Sequence, residues 1–261
     1  MYEKHNSLNI YLAKAASIVF YIFLFPLICL NKWDYNRHIK KKHYFYESII
    51  IRLVDHYPFL YEINAFLWHF PIGIRTFDTI PPLSGSVLQV GCGTGLFNKY
   101  CKKYKKNTQI KEWVNLDLNM KSLQYGLKKK RFQSFLQASI YNVPMEDAHF
   151  DKIVFSRCFH HIHKPKRAIH ECERLLNHHG EIIIYDPVKL DDTSEQAVFS
   201  NTYFDGTICV YNKHSLVRSI EKYLPDNLVI SSVNYKRNPS VLNYNRQYRH
   251  TDAVVVIKKI S

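Results

Sequence analysis

Ser86-Val87-Leu88-Gln89-Val90-Gly91-Cys92-Gly93-Thr94-Gly95-Leu96-Phe97 is the stretch on which the reading of this chain turns. Three of the chain's eight glycines fall between residues 91 and 95. A short apolar strand runs into a glycine turn, and helix-compatible residues follow. Clustered glycines cost backbone entropy on folding, so the turn must use conformations or approaches that side chains forbid. In a strand–turn–helix unit the free amides at the helix start face a ligand.

The spacing separates this turn from two common nucleotide motifs. The dinucleotide fingerprint requires glycine at its first, third and sixth positions; here the sixth is Leu96. No Gly-Lys-Ser/Thr follows, which excludes the phosphate-cradling P-loop. What remains is G-x-G-x-G, followed by a second apolar run, Glu112-Trp113-Val114-Asn115-Leu116-Asp117, that ends on a carboxylate. An acid about 20 residues beyond the glycines is where a doubly wound sheet binds ribose hydroxyls.

Apolar periodicity predicts strands near 86–91, 112–117, 133–138, 151–157, 181–186, 227–233 and 253–257, with helical stretches between most of them. No crossover helix is legible between the last two, so they are expected to pair antiparallel. The fold class expected is α/β: a doubly wound, mostly parallel seven-stranded sheet with an antiparallel last strand and an N-terminal helical extension. The boundary falls near Pro81-Pro82, where the residue before proline is biased to extended backbone. This divides the chain into a hydrophobic, aromatic segment 1–80 and a ligand-binding domain 81–261.

Further motifs follow in order. They are Val143-Pro144 through Phe150-Asp151, the paired histidines of Phe159-His160-His161-Ile162, and Glu171 with Arg174-Leu175-Leu176 and Gly180. With the glycine turn and Asp117, this series resembles the class I S-adenosylmethionine-dependent methyltransferases of the small-molecule type, over roughly residues 84–187. The resemblance implies S-adenosyl-L-methionine as cofactor, with Gly91, Cys92 and Gly93 around its methionine part. It also implies Asp117 on the ribose, Leu118 against the adenine face, and Ser139 and Ile140 beside the adenine amine. Two positions depart from the family: Gln89 and Ser139 stand where acids are usual. Both can hydrogen-bond a cofactor, but without charge assistance each contact is weaker.

The chain has 36 Lys and Arg against 22 Asp and Glu, a net charge of +14. Such a balance suits nucleic acid, anionic lipid or acidic substrates. The runs Lys102-Lys103-Tyr104-Lys105-Lys106 and Lys128-Lys129-Lys130-Arg131 fall at the ends of helices that follow parallel strands. They are therefore expected on the rim opposite the ligand, favouring the helix dipole and solubility. The six cysteines, at 29, 92, 101, 158, 172 and 209, contain no C-x-x-C pair and read as reduced thiols of an intracellular protein. The fourteen histidines show no metal-ligand spacing, and no metal is expected.

Ala15 to Leu30 is almost wholly apolar, near the lower length for a membrane span. Lys32, Arg37, Lys40, Lys41, Lys42 and Arg52 follow it, a bias that would keep the domain on the cytoplasmic side. Two readings stand: contact with the cytoplasmic face of a membrane, or a buried cap over the active site, helped by Tyr44-Phe45-Tyr46 and Phe66-Leu67-Trp68. Either way the expected location is cytoplasmic.

Methyl transfer needs in-line positioning and removal of a proton from the acceptor. His161, just past the fourth strand, is the candidate base, with packing beneath the cofactor as its alternative role. Lys236, Arg237, Arg246 and Arg249 in 234–250 either meet an anionic, partly aromatic acceptor or decorate a solvated hairpin. The leading expectation is an enzyme transferring methyl to oxygen, nitrogen or carbon of a small, apolar or lipid-like metabolite. A non-catalytic scaffold of the same fold is the alternative raised by Gln89 and Ser139. A nucleic-acid methyltransferase is disfavoured, because Ser156-Arg157-Cys158-Phe159 replaces the Asn/Asp-Pro-Pro-Tyr-type motif of base-modifying enzymes. Oligomeric state is not legible.

Overall fold

The glycine-bearing stretch lies at the heart of a seven-stranded sheet. The computed structural model describes residues 49–69, 75–189, 213–237 and 250–260, with nine single positions between 15 and 37. Strand β1 (Leu83–Val90) pairs in parallel with β2 (Asn107–Asp117) on one side and β4 (Phe150–Ser156) on the other. β3 (Leu136–Gln137) extends the sheet beyond β2, and β5 (Leu176–Lys189) lies beside β4, both in parallel. β7 (His250–Lys259) then runs antiparallel between β5 and β6 (Leu228–Arg237). The order is β3-β2-β1-β4-β5-β7-β6, the expected doubly wound sheet with its antiparallel last strand.

The central strands are covered on both faces, which is why they read as continuous apolar runs. Leu88 and Val90 of β1 join a large core with Ile153, Phe155, Ile182, Ile184, Val255 and Ile257. Val87 joins the opposite core with Phe77, Phe97, Val154, Tyr185 and Val254. The first core is closed by α5 (Pro165–Leu175), where Ala168, Ile169, Cys172 and Leu175 form a buried stripe at helical spacing. Pro165 opens that helix, where its missing N–H leaves no bond unmade. The second core is covered by α3 (Leu96–Lys103) and by the 3₁₀ turn Arg75–Thr79. Helix α4 (Met120–Lys128) follows β2 and is capped by Asn119, whose side chain accepts from the Ser122 amide at 3.2 Å. Helix α6 (Lys213–Glu221) precedes β6.

Ahead of the sheet, α1 (Ile49–His56) and α2 (Pro58–His69) form a helical pair. Most of Ala15–Leu30 and all of 238–249, including Arg246 and Arg249, lie outside the described residues, as does Cys209. Among the described residues no helix is long and apolar enough to cross a membrane.

One expectation about charge is corrected. Lys102, Lys103 and Lys128 to Lys130 are exposed in the last helical turns and just beyond, but Arg131 is drawn back to the glycine turn. The reason is close packing of α4: a side chain at Gly126 would meet the Thr94 carbonyl at 2.9 Å and the Phe132 ring at 2.5 Å. Lys236, for which an anionic acceptor or a solvated hairpin was expected, donates its ammonium to Asp78 at 2.7 Å.

Candidate active site

The carboxyl ends of β1, β2 and β4 converge on residues 91–95. Gly91, Gly93 and Gly95 all have left-handed backbone, with φ of 60°, 52° and 76°. Cys92 donates its amide to Leu116 at 3.0 Å, which ties the turn to β2. Gly91 is also a close approach: a Cβ there would lie 2.8 Å from the Cys158 Cβ and 2.9 Å from its sulfur. At Gly93 an added Cβ would meet nothing within 4 Å, so open space lies over the turn. Gly93→Ala is therefore expected to cost only the left-handed strain, about 1 kcal/mol. Gly91→Ala adds the collision with Cys158 and should cost about 2–3 kcal/mol. Thermal denaturation of the two variants side by side checks the order.

Asp117 faces this turn. Its Oδ2 accepts the Gly93 amide at 2.7 Å and its Oδ1 accepts the Asn119 amide at 2.8 Å. Burial pushes its carboxyl above the usual range, and the amides of Asn119, Gly93 and Leu118 hold back part of that rise. A raised pKa in the folded state means this group costs stability above that pH and ceases to as pH falls through it. Cofactor affinity runs the other way, because the ionised oxygens are the better acceptors for ribose hydroxyls. Binding of S-adenosylhomocysteine is thus expected to weaken on acidification before the ordinary carboxylate range is reached. Calorimetric titrations at stepped pH check this.

The other expected cofactor contacts fall into two groups. Gln89 is 1% exposed, two residues before Gly91, and its Oε1 has no hydrogen-bond partner among the described residues. An orphaned buried acceptor, a buried carboxylate and open space over Gly93 fit a cofactor that carries an ammonium and hydroxyls. Leu118 is 69% exposed at the end of β2, an apolar face without cover. Ser139 bonds within its own turn, accepting from the Tyr141 amide at 3.3 Å. Ile140 is buried in the core. That turn is clasped from below. Glu171 accepts the Val143 amide at 2.8 Å, and Arg174 donates to the carbonyls of Val143 and Met145 at 3.0 and 2.9 Å. The bond to Arg174 holds the Glu171 carboxyl below its usual range.

His161 lies half-buried in the 3₁₀ turn Phe159–His161 after β4. Its ring is 4.1 Å from that of His160. His160 is the anchored member: it is 5% exposed, its amide donates to Asp186 at 2.9 Å, and its Nδ1 lies 2.9 and 3.0 Å from the two oxygens of that buried carboxylate. Sequence reading picked out the histidines but not this partner, which lies 26 residues away.

Two further clusters had no signal in motif or spacing. Arg157, with left-handed φ of 56°, donates to Asp252 at 2.8 Å, and the Tyr185 hydroxyl donates to the other Asp252 oxygen at 3.0 Å. Burial alone would lower the Arg157 pKa, but Asp252 and Tyr185 raise it, so the guanidinium stays charged. Glu62 of α2 accepts from the Thr94 hydroxyl at 2.5 Å and takes both Arg131 guanidinium nitrogens, at 2.7 and 2.6 Å. The helical pair is thereby bolted to the glycine turn.

Comparison with known proteins agrees with this geometry. Residues 88–184 match a family described as a methyltransferase domain. A demethylmenaquinone methyltransferase of Thermotoga maritima is 27% identical over 100 residues, 38% of this chain and 42% of that protein. A malonyl-[acyl-carrier protein] O-methyltransferase of Pectobacterium atrosepticum is 29% identical over 111 residues, 42% of each chain. The chain thus matches less than half the length of these curated relatives. Among solved structures, the fold is shared with phosphoethanolamine N-methyltransferase 2 of Haemonchus contortus in complex with phosphomonomethylethanolamine and S-adenosylhomocysteine. The TM-score is 0.58 at 12% identity, covering 80% of this chain and 59% of that one. The segment that carries the glycine turn, Asp117 and the paired histidines is thus similar to methyltransferase domains, over residues 88–184.

Proposed function

We propose that the chain binds S-adenosyl-L-methionine and transfers its methyl group to an oxygen, nitrogen or carbon atom of a small, apolar or lipid-like acceptor. The observation that carries this reading is the Asp117 carboxylate on the glycine turn, 2.7 Å from the Gly93 amide, with open space above. When bound, the cofactor supplies a methyl already activated on a sulfonium. Gly91, Cys92 and Gly93 would hold its amino-acid part with Gln89 beneath, and Asp117 its ribose. Leu118, Ser139 and the Ile140 backbone would border the adenine. The acceptor class is supported by the substrates named for the two curated relatives, demethylmenaquinone and malonyl-acyl-carrier protein, and by the apolar N-terminal segment.

The protein's remaining work is to orient the acceptor and receive its proton. His161 is the proposed base, steadied by a turn that Asp186 fixes through His160. His161→Gln should lower kcat about a hundredfold while leaving cofactor affinity unchanged; unaltered turnover removes the role. A cofactor-binding scaffold without turnover is the second reading, favoured by the uncharged Gln89 at an acidic position. Calorimetry with S-adenosylhomocysteine, followed by transfer of labelled methyl into a lipid extract, decides between them. Heat of binding with labelled lipid supports the enzyme, heat alone the scaffold, and neither overturns the cofactor reading.

A further inference from the structure

Charge is unevenly spread over the molecule. Residues 91–145 carry eleven lysines and arginines against two acids, which is +9 of the chain's +14. Both acids are engaged: Glu112 pairs with His149 at 2.7 Å, and Asp117 is turned onto the Gly93 and Asn119 amides. Seven exposed lysines run along α3 and close α4: Lys99, Lys102, Lys103 and Lys105, and Lys128 to Lys130. None of the seven has a carboxylate partner among the described residues.

These lysines form one stripe. Lys99, Lys102 and Lys103 share a face of α3, at spacings of three and four residues, and Lys105 follows at its end. The end of α4 meets the start of α3. The Arg131 Cβ lies 3.1 Å from where a side chain on Gly95 would begin, and Gly126 abuts the Thr94 carbonyl. Lys99 bridges the two runs, its charge acting on the Glu62 carboxylate that holds Arg131.

The helix dipole accounts for Lys102, Lys103 and Lys128, which lie in the last turns. It does not account for Lys105 and Lys130. Each stands one residue past a cap with left-handed backbone, φ 51° and 54°, and the next amide closes onto Cys101 or Gly126 at 2.8 or 3.1 Å. This is the Schellman closure, whose left-handed position glycine fills without strain. Two helices thus both keep lysine where glycine is the unstrained choice, and both lysines extend the stripe.

Composition selects the partner. Protein interfaces form around an apolar core depleted of lysine, whereas 96–105 and 120–131 expose only Tyr104 and Leu127 among large apolar side chains. A bilayer requires an apolar face to insert, and those of α3 and α4 are spent on burying Phe97, Cys101 and Leu123. Nucleic-acid interfaces are polar and strongly positive, with lysines clustered along a helix. The Lys103 and Lys129 ammonium groups lie 5.5 and 5.4 Å over the Tyr104 and Tyr125 rings, the mixture of cations and aromatic faces that holds single strands.

We infer that this stripe binds the phosphate backbone of a single-stranded nucleic acid without reading its sequence. A strand held there is a docking partner and not the methyl acceptor, so the site does not rest on the function proposed above. Fluorescence anisotropy of a labelled oligouridylate with the full chain tests it. Log K should fall with log salt by about 0.7 per neutralised phosphate, a slope of about −5 if all the lysines engage. Replacing Lys102, Lys103 and Lys105 together by glutamate should weaken binding at least about tenfold, with circular dichroism unchanged. The matched reversal of Lys166, Arg218 and Lys222, on and beside the helices that cover the other core, should change it less than about twofold. Lys105→Gly with Lys130→Gly separates charge from fold: the thermal midpoint should hold or rise while the salt slope shrinks by about 1.4. Absence of salt-dependent binding, an equal loss in the matched control, or binding to phosphatidylserine vesicles or polyglutamate that oligouridylate fails to displace would each overturn the inference.

Discussion

Asp117→Asn is expected to weaken S-adenosylhomocysteine binding about a hundredfold while the fold survives. The carboxylate uses each oxygen for a backbone amide, Gly93 on one side and Asn119 on the other. An asparagine must present its NH₂ to one of those N–H groups, donor facing donor. The amide also loses charge assistance to the ribose hydroxyls, and hydrogen bonds to charged groups contribute about 1.5–3 kcal/mol. Together these come to about 3 kcal/mol, which is two orders of magnitude in affinity. Calorimetry measures the loss, and circular dichroism confirms that the sheet persists. An unchanged dissociation constant would remove Asp117 from the cofactor site and, with it, the reading of the glycine turn.

Glu62→Ala should be the more damaging change for stability. It leaves the Arg131 guanidinium, 10% exposed, without its bidentate partner, and deprives the Thr94 hydroxyl of its acceptor. Removing one member of a buried pair costs about 3–5 kcal/mol; with Glu62 20% exposed, about 2–3 kcal/mol is expected. For a chain of this size the thermal midpoint should drop roughly 5–10 °C. The helical pair should also become accessible to protease, and S-adenosylhomocysteine should dissociate faster. Glu62→Gln with Arg131→Met removes both charges and should recover part of the loss, which a double-mutant cycle would quantify. Burial alone would raise the Glu62 carboxyl, but its bonds to Arg131 and Thr94 outweigh that and hold it below the usual range. The sign follows: the bolt is at full strength above the ordinary glutamate pKa of about 4.3 and is lost only as pH falls through the depressed value. A protease-sensitive hairpin at neutral pH in the unaltered protein would contradict this assignment.

The strands were legible where side chains alternate or run apolar between turn residues, and their ends were not. β1 begins at Leu83 rather than 86 because Leu83 and Gly85 pair with the polar start of β2, a stretch with no apolar pattern. β5 begins at Leu176, directly after α5. Its partner register jumps from Phe150↔Leu176 to Lys152↔Glu181, so His178-His179-Gly180 is an irregularity inside the strand. His179 takes a left-handed φ of 64° there. The pairing of the glycine turn with Asp117 was readable because both lie in one local unit, a turn and the next strand's end. The ion pairs around it were not, because they join residues far apart in the chain. Arg157 meets Asp252 across 95 residues, and Glu62 meets Arg131 across 69. Arg131 read as part of a solvated basic run, since nothing in Lys128-Lys129-Lys130-Arg131 distinguishes the residue that folds back. The motif Glu171 to Arg174 was recognised as a pattern, but its work as a clasp on 143–145 needed coordinates.

The placement of β7 bears on how the molecule is made. It is translated after β6 yet occupies the slot between β5 and β6. While a ribosome is still extending the chain towards residue 250, the flank of β5 has no neighbour to hydrogen-bond, the condition under which nascent sheets recruit one another. Asp252 arrives with that strand, so the wall around Arg157 is finished after the glycine turn has all of its own contacts. Birth order therefore separates two parts of this end of the sheet: a stalled product would have the glycine turn and Asp117 in place while Arg157 still lacked its carboxylate.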